Sequence, residues 1–470
     1  MLPLAEDFPA QNRDEWLALV EKTLKGGSLE SLVSRTADGI EIQPLYRPED
    51  AVENVRDLRP RDAERPWDLR MATAHPDAAH ANAEVLKDLE GGAASVLVKI
   101  DPTGERGVAV GSADDLARVL NGVLLELAPV ALDAGYLGPK AADWLGALAK
   151  AAPNAPLAFH MDPLGAFAET GAAPGPIESH LVSAATVGAR LAVTYPKATL
   201  MLASGRVVHE AGGTEAQELA FMAASAVAYA KALTRSGMAM EDALSRIVLG
   251  LSVDGQYFLD IAKVRAARDL WAQIAAACGV DVPARIEARS SNRMLAKKDP
   301  WTNLLRLTAA GFGAAVGGAD AIVLGTFTDA LGLPTAFARR QARNTQLILM
   351  EEANLGRVAD PAGGAWFLEN LTDQLARAAW AEFQAIEAAG GIIAALTSGL
   401  SQSKVKAAHA APEKILGVNV FPNPDEKPVE VETAKPVPVD APNPRLPGPD
   451  ASCEPMPAIR FAAAFEEAAQ

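Results

Sequence analysis

Cysteine is nearly absent from this chain: Cys278 and Cys453 are the only two in 470 residues. Two cysteines support neither a disulfide framework nor a four-cysteine metal site, so a reducing compartment is expected. Positive charge is also scarce, with 43 Lys and Arg against 59 Asp and Glu, a net charge of −16. That balance argues against a nucleic-acid or anionic-membrane surface, both of which need clustered Lys and Arg. No apolar run approaches the ~20 residues of a membrane-spanning helix. Met1-Leu-Pro-Leu-Ala-Glu-Asp7 lacks the basic and apolar regions of a signal peptide. Aromatic residues make up only 5% of the chain. A soluble, cytoplasmic protein with alanine-rich helices packed closely on a sheet is the expectation.

What is present is alternation. Short apolar runs stand at Ala94–Ile100, Pro129–Leu132, Leu157–His160, Thr199–Ala203, Ile247–Leu251, Ala284–Ala288 and Asp320–Leu324. Between most of them lie stretches of helical period, such as Thr214–Leu233, Phe258–Ala277 and Trp301–Val316. Strands alternating with helices build a parallel sheet covered by helices. The spacing predicts an α/β fold, a (β/α)8 TIM barrel over residues 65–400 in which one strand has no apolar run to mark it. An open doubly wound sheet is the alternative.

An N-terminal arm, residues 1–64, precedes this region. Trp16, Leu17, Val20 and Leu24 recur at helical spacing, Gly26-Gly27 ends the helix, and Gly39–Tyr46 alternates as a strand. The charged stretch Arg47–Arg65 has little of its own to bury. Residues 366–399 are expected to be helical, with Leu371, Leu375, Ala378, Ala379 and Phe383 on one face. Residues 401–470 form a C-terminal extension, Pro-rich and charged from Phe421 to Ala458, with a short helix over Ile459–Ala469. Such an extension either wraps a neighbour or stays disordered.

Several residue groups could carry chemistry. His75, Asp77 and His80 have a metal-like spacing, but no fourth ligand is evident, and a helix start at Asp77 explains them better. His160 and Asp162 end a barrel strand, where barrel enzymes keep catalytic groups, although Pro163 and Gly165 make Asp162 equally a turn residue. His209-Glu210 lacks a nucleophile or second acid at useful spacing. The run Gly311–Gly317 follows a helix rather than a strand, so its glycines read as packing positions and not as a phosphate loop. Lys297-Lys298 reads as a solvated helix entry.

Longer ordered segments resemble the cobalamin-dependent methylmalonyl-CoA mutase family. They are Leu333–Gln346, Glu351–Gly364, Glu369–Thr372, Phe258–Trp271 and Arg65-Pro-Trp-Asp-Leu-Arg70, and the resemblance runs from the N-terminal helix to about residue 420. In Ser204–Thr214 the framing residues Ser204, Gly205, Glu210, Ala211, Gly212 and Thr214 match the family as well. The resemblance implies a barrel whose axis holds the pantetheine of an acyl-CoA, with cobalamin carried on a further C-terminal domain.

The chemical positions depart from that pattern. The aromatic–histidine pair that faces substrate in active members is Arg206-Val207 here, and the glutamine and tyrosine after Arg70 are Met71 and Ala72. The strands Ile286–Asn292 and Gly317–Thr326 have lost most of the family's Thr, Ser and His, so side chains are expected to pack across the axis. None of the six histidines sits in the Asp-x-His-x-x-Gly loop that supplies the lower cobalt ligand. The resemblance therefore implies a non-catalytic small subunit, with catalytic function lost at Ala72, Arg206 and Val207 and no cofactor or metal site of its own. Adenosylcobalamin and the acyl-CoA substrate would sit on a large-subunit partner, in a heterodimer wrapped by the arm and the Pro-rich tail. The alternatives are an active acyl-CoA mutase chain that borrows cobalamin from a separate small protein, and a barrel enzyme of unrelated chemistry using His160 and Asp162.

Overall fold

The computed structural model describes residues 12–52, 62, 64–410, 414–421, 423, 427–440 and 452–467. A two-stranded antiparallel hairpin, β1 (Ser34–Arg35) and β2 (Glu41–Ile42), belongs to the N-terminal arm. Eight parallel strands follow: β3 (Asp68–Thr73), β4 (Ser95–Lys99), β5 (Val130–Asp133), β6 (Ala158–Met161), β7 (Thr199–Ser204), β8 (Ile247–Val253), β9 (Ile286–Ser290) and β10 (Ala321–Val323). They pair in sequence order and close on themselves, with Ala321 of β10 opposite both Glu287 of β9 and Asp68 of β3. This is the (β/α)8 barrel expected from the alternation, and closure excludes the open sheet.

The seven apolar runs each coincide with a strand, and the unmarked strand is β3. Its sequence, Asp-Leu-Arg-Met-Ala-Thr, explains why no apolar run marks it. Leu69 and Met71 pack outward among apolar neighbours such as Ala310 and Ala314, while Arg70 reaches Glu287 across the barrel. A strand with charge on its lumen face and apolar residues on the other shows only period-two alternation. β8 is the opposite case, with all seven residues buried, as suits a strand covered on both faces.

Helices follow the strands closely to the expected bounds. Thr214 caps the helix Glu215–Arg235 through the Gln217 amide N–H, and the Gln217 side chain returns a contact to the Thr214 N–H. The helix Trp366–Ala388 buries Leu371, Leu375, Ala379 and Phe383, each leucine or phenylalanine contributing ~1.5–3 kcal/mol of burial free energy. The Gly311–Gly317 glycines are indeed packing positions: a Cβ on Gly313 would lie 2.8 Å from Asp260 Cβ, and one on Gly317 2.9 Å from Val264 Cβ. Their absence lets the helices Asn303–Gly317 and Tyr257–Ala277 approach closely.

The arm and the tail differ. The arm helix, Arg13–Leu24, starts with a capping box at Asn12 and ends at Lys25 in the left-handed region, yet buries none of its residues. The expected strand over Gly39–Tyr46 is only two residues long, and residues 53–61 and 63, most of the charged stretch, lie outside the described residues. The described parts of the tail lie on the barrel of this same chain. The Val439 N–H donates to the Pro102 carbonyl at 2.9 Å, Cys453 to Gly171 at 2.8 Å, Met456 to Ala168 at 2.8 Å, Ile459 to Glu210 at 2.8 Å and Phe461 to Arg293 at 2.9 Å. An extended chain has free donors every second residue, and here the barrel's own loop carbonyls meet them. The terminal helix starts later than expected, at Ala463, and is described as far as Glu467.

Candidate functional site

The axis of the barrel is partly occupied, with a hollow of about 180 Å³ left among Arg70, Ala158, His160, Thr199, Val248 and Glu287. Ala72, Leu97, Ala131, Ala158 and Val323 form an apolar layer inside it, as the sequence led one to expect. What the sequence reading did not anticipate is a ladder of buried charges beside that layer. Arg70 donates to Ser95 Oγ (2.9 Å), to Asp68 Oδ2 (2.7 Å) and to Glu287. Glu287 also accepts from Arg289 Nε at 2.6 Å, and Arg289 Nη1 donates to Asp133 Oδ2 at 2.6 Å. Burial pushes the Glu287 pKa up, but Arg289, His160 and Arg70 outweigh it and hold the carboxyl well below the usual range. Neutral residues of similar size would fill the same space, so the ladder is a specific choice of partners across four strands, β3, β4, β5 and β9.

Above the ladder, at the C-terminal mouth of the strands, lies a hollow of about 250 Å³ lined by residues including Asp133, His160, Asp162, Ser204, Arg206 and Arg289. His160 has φ +45°, a left-handed conformation rare outside glycine, and stands where the β6–β7 register shifts. Burial pushes its pKa down to about 4, against the opposing charge of Glu287, whose Oε2 lies 3.8 Å from Nδ1. Neutral imidazole is therefore the resting form at neutral pH.

Asp162 caps the helix Pro163–Thr170. Its Oδ1 accepts from the Gly165 N–H at 3.0 Å and from the Tyr229 hydroxyl at 2.5 Å. Burial lifts its pKa to about 7, although both hydrogen bonds favour the charged form. Both readings of Asp162 thus meet in one residue: it shapes the turn and also lines the hollow. Arg206 and Val207 open the five-residue helix Arg206–Glu210 directly after β7 and face the same hollow. Burial, then the nearby Arg289, push the Arg206 pKa down. Ala72 is not at the mouth but in the apolar layer of the axis.

His209 and Glu210 are drawn apart. Glu210 accepts from the Asn292 N–H at 3.2 Å and from the Ser252 hydroxyl at 3.4 Å, contacts to neighbouring loops. His209 is fully buried within a charge cluster, with Nδ1 3.3 Å from Glu218 and Nε2 3.6 Å from Asp254. Burial lowers its pKa, as do Arg293 and Lys263, yet the facing carboxylates raise it overall. Lys263 Nζ stands 2.5 Å from Glu215 and 2.9 Å from Glu218, and Arg293 lies 3.2 Å from Asp254. His209, Glu215 and Asp254 have metal-ligand spacing, but Lys263 and Arg293 already supply the positive charge there.

His75 and His80 stack with ring centroids 3.8 Å apart. Asp77 caps the helix Ala78–Glu90, as expected, and the tail brings Glu432 to 3.2 Å from His80 Nε2. That carboxylate is 352 positions away in sequence and could not be foreseen from spacing. His75, His80 and Glu432 bring one ligand atom each within 4.8 Å of one another, and His75 Nδ1 already accepts the Asp77 N–H at 3.1 Å. A larger hollow, about 440 Å³, opens at the opposite end of the barrel. Its cations are committed: Arg265 lies 2.8 Å from Asp360 and Arg268 3.1 Å from Asp320.

Sequence reasoning overlooked Asp133, Tyr229, Glu287 and Arg289. A usable signal existed for two of them, since Glu and Arg at alternate positions of a strand buried on both faces imply a charged lumen.

Among known proteins, the family model described as methylmalonyl-CoA mutase matches residues 35–441. The chain is similar to the methylmalonyl-CoA mutase small subunit of Streptomyces virginiae, 40% identical over 469 residues, covering 93% of this chain and 74% of that protein. It is 36% identical over 420 residues to the small subunit from Propionibacterium freudenreichii subsp. shermanii (83% and 64% coverage). It is 30% identical over 466 residues to the methylmalonyl-CoA mutase of Cereibacter sphaeroides (90% and 66%). The chain spans about two thirds to three quarters of the length of these relatives. Among the described residues no helix is long and apolar enough to cross a membrane. By its barrel, its sequence and these matches, the chain belongs to the methylmalonyl-CoA mutase family.

Proposed function

We propose that this chain is the non-catalytic small subunit of a heterodimeric, adenosylcobalamin-dependent methylmalonyl-CoA mutase, supporting a large subunit that isomerises methylmalonyl-CoA to succinyl-CoA. The observation that supports this reading is the apolar layer and the ion-pair ladder lying across the axis. An acyl-CoA threaded through the barrel would have to displace the Arg70–Glu287–Arg289–Asp133 ladder and the apolar layer around Leu97. Breaking one such buried pair costs about 3–5 kcal/mol, before any substrate contact is made.

Adenosylcobalamin fits the described residues poorly. The mouth hollow of about 250 Å³ is far smaller than a corrin ring, and the tail segment 452–467 crosses the adjacent loops through Ile459 and Phe461. No reaction step is therefore assigned to these residues, and the cofactor is placed on the partner.

What remains for this chain is to bind and steady the large subunit. The arm helix supports that role, because Trp16, Leu17, Val20 and Leu24 form an apolar stripe that this chain covers only in part. Such a stripe is stabilised by a partner surface. Removal of residues 1–60 should abolish co-purification with the large subunit, and undiminished assembly would contradict the arm's role. Turnover by this chain with a free cobalamin-carrying protein, without the large subunit, would overturn the non-catalytic reading itself.

A further inference from the structure

We infer that His75, His80 and Glu432 bind a divalent transition cation of the zinc type, which fastens the tail segment 427–440 to the C-terminal face of the barrel. One ligand atom from each of the three lies within 4.8 Å of the other two. In the sequence, His75, Asp77 and His80 had a metal-like spacing and lacked a further ligand. The fold uses Asp77 as a helix cap, its Oδ1 accepting the His80 N–H at 2.8 Å, and brings Glu432 to the two histidines instead.

The distances suit such an ion. Zinc holds imidazole nitrogen and carboxylate oxygen at about 2.0–2.2 Å, so two of its tetrahedral ligand atoms stand ~3.4 Å apart. Glu432 Oε2 lies 3.2 Å from His80 Nε2, already near that separation. The His75 ligand atom, inside the 4.8 Å limit, has to close by roughly 1.4 Å at most. Its ring, stacked on His80 at an interplanar angle of 16°, tilts open to do so. His75 is half-buried and His80 exposed, so packing locks neither ring, and water can complete the coordination. The Asp77 N–H that His75 Nδ1 accepts at 3.1 Å is a neutral contact at a helix start, which water can replace.

The charges point the same way. Among the described residues the ion-pair partner of Glu432 is His80, a ring that carries charge only when protonated. A dication supplies the counter-charge that no Lys or Arg gives Glu432 there. Glu84 Oε1 lies 3.9 Å from His80 Nε2, but that carboxylate already accepts the Thr73 hydroxyl at 2.8 Å and has Arg339 at 3.4 Å. The His209, Glu215 and Asp254 group is the contrasting case, where Lys263 and Arg293 occupy the place of a cation. Two imidazoles and one carboxylate favour zinc, cobalt, nickel or copper over magnesium and calcium, which take oxygen ligands. The tail side is set in advance: the Glu432 N–H donates to the Leu333 carbonyl at 2.8 Å, and the Val439 N–H to that of Pro102 at 2.9 Å. The site is built by this chain alone and does not rest on the subunit role proposed above.

The test is calorimetric titration of the full chain, stripped with a chelator, with zinc chloride at pH 7.5. One saturable site is expected. Glu432→Gln and His80→Ala should each weaken it by at least roughly ten- to a hundredfold, the range for losing even a group that merely supports a ligand. His409→Ala, at an exposed histidine on the helix Leu400–His409, should leave it unchanged. Cobalt(II) in place of zinc should show ligand-field bands without a thiolate charge-transfer band, which separates this site from Cys278 and Cys453. Zinc should also slow proteolysis within 427–440 in the parent and not in Glu432→Gln. Absence of saturable binding, binding that survives both substitutions, a thiolate band, or tail cleavage indifferent to zinc would overturn the inference. Assembly with the large subunit is a separate readout, so either proposal can fail alone.

Discussion

Replacing Glu287 by glutamine removes one charge from the centre of the axial ladder while keeping the side chain's shape. Glu287 is 1% exposed, and its loss leaves Arg70 and Arg289, both buried, facing each other across a neutral amide. Breaking a buried pair from one side costs about 3–5 kcal/mol. Each guanidinium here keeps a second carboxylate, Asp68 at 2.7 Å for Arg70 and Asp133 at 2.6 Å for Arg289, so the lower end applies, about 3 kcal/mol. With ~2.1 cal/mol/K of unfolding entropy per residue over roughly 400 ordered residues, the melting temperature should fall by about 3–4 °C. Differential scanning calorimetry at pH 7 measures it.

The pH dependence of Glu287→Gln adds a second constraint. The carboxyl is held below its ordinary value of 4.5, so its contribution is complete above that pH and is lost as pH falls toward the folded-state value. The variant's deficit should therefore be constant from neutral pH to about 5 and shrink in stronger acid. Combining it with Arg70→Met removes one stranded guanidinium and should recover part of the loss. A variant melting within one degree of the parent (about 0.8 kcal/mol on the same entropy scale), or strictly additive losses in the pair, would refute the ladder as a coupled unit.

Asp162→Asn keeps the acceptor for Tyr229 and Gly165 but cannot ionise. Because the native carboxyl titrates near 7 rather than 3.8, the parent loses stability as pH rises between those values and levels off above them. Melting curves should show the asparagine variant gaining on the parent from about pH 4 to 7 and then holding its lead; parallel curves would contradict the assignment. At Gly111 an added Cβ would fall 2.2 Å from the Asp440 carbonyl oxygen. Gly111→Ala should thus release the tail around Val439, seen as faster proteolysis after residue 427. Barrel stability should change by about 0.5 kcal/mol or less, and an unchanged cleavage pattern would show that the tail is not seated there.

Much of the architecture was legible because it rests on local periodicity. Apolar runs of four to seven residues separated by helical stretches leave few solutions other than a parallel barrel, and each of the seven runs coincides with a strand. β3 escaped because two of its six residues, Asp68 and Arg70, face the lumen and carry charge. The candidate site was legible only in part. His160, Asp162 and Arg206 could be placed at strand ends, and family resemblance singled out Arg206-Val207, but their company could not be read. Tyr229 reaches Asp162 from a helix 67 positions away, and Arg289 reaches Asp133 over 156.

The amino-acid sequence by itself determined that the chain is acidic, nearly free of cysteine, and built as alternating strands and helices. Those properties depend on composition and on neighbours a few residues apart. Only the tertiary structure decided that the axis is held by ion pairs as well as apolar packing, that the tail seats on its own barrel, and that Arg206 and Arg289 share one hollow. The physical reason is that charge pairing and desolvation depend on distances across the barrel. Closing eight strands into a ring brings together residues that hundreds of positions of chain keep apart.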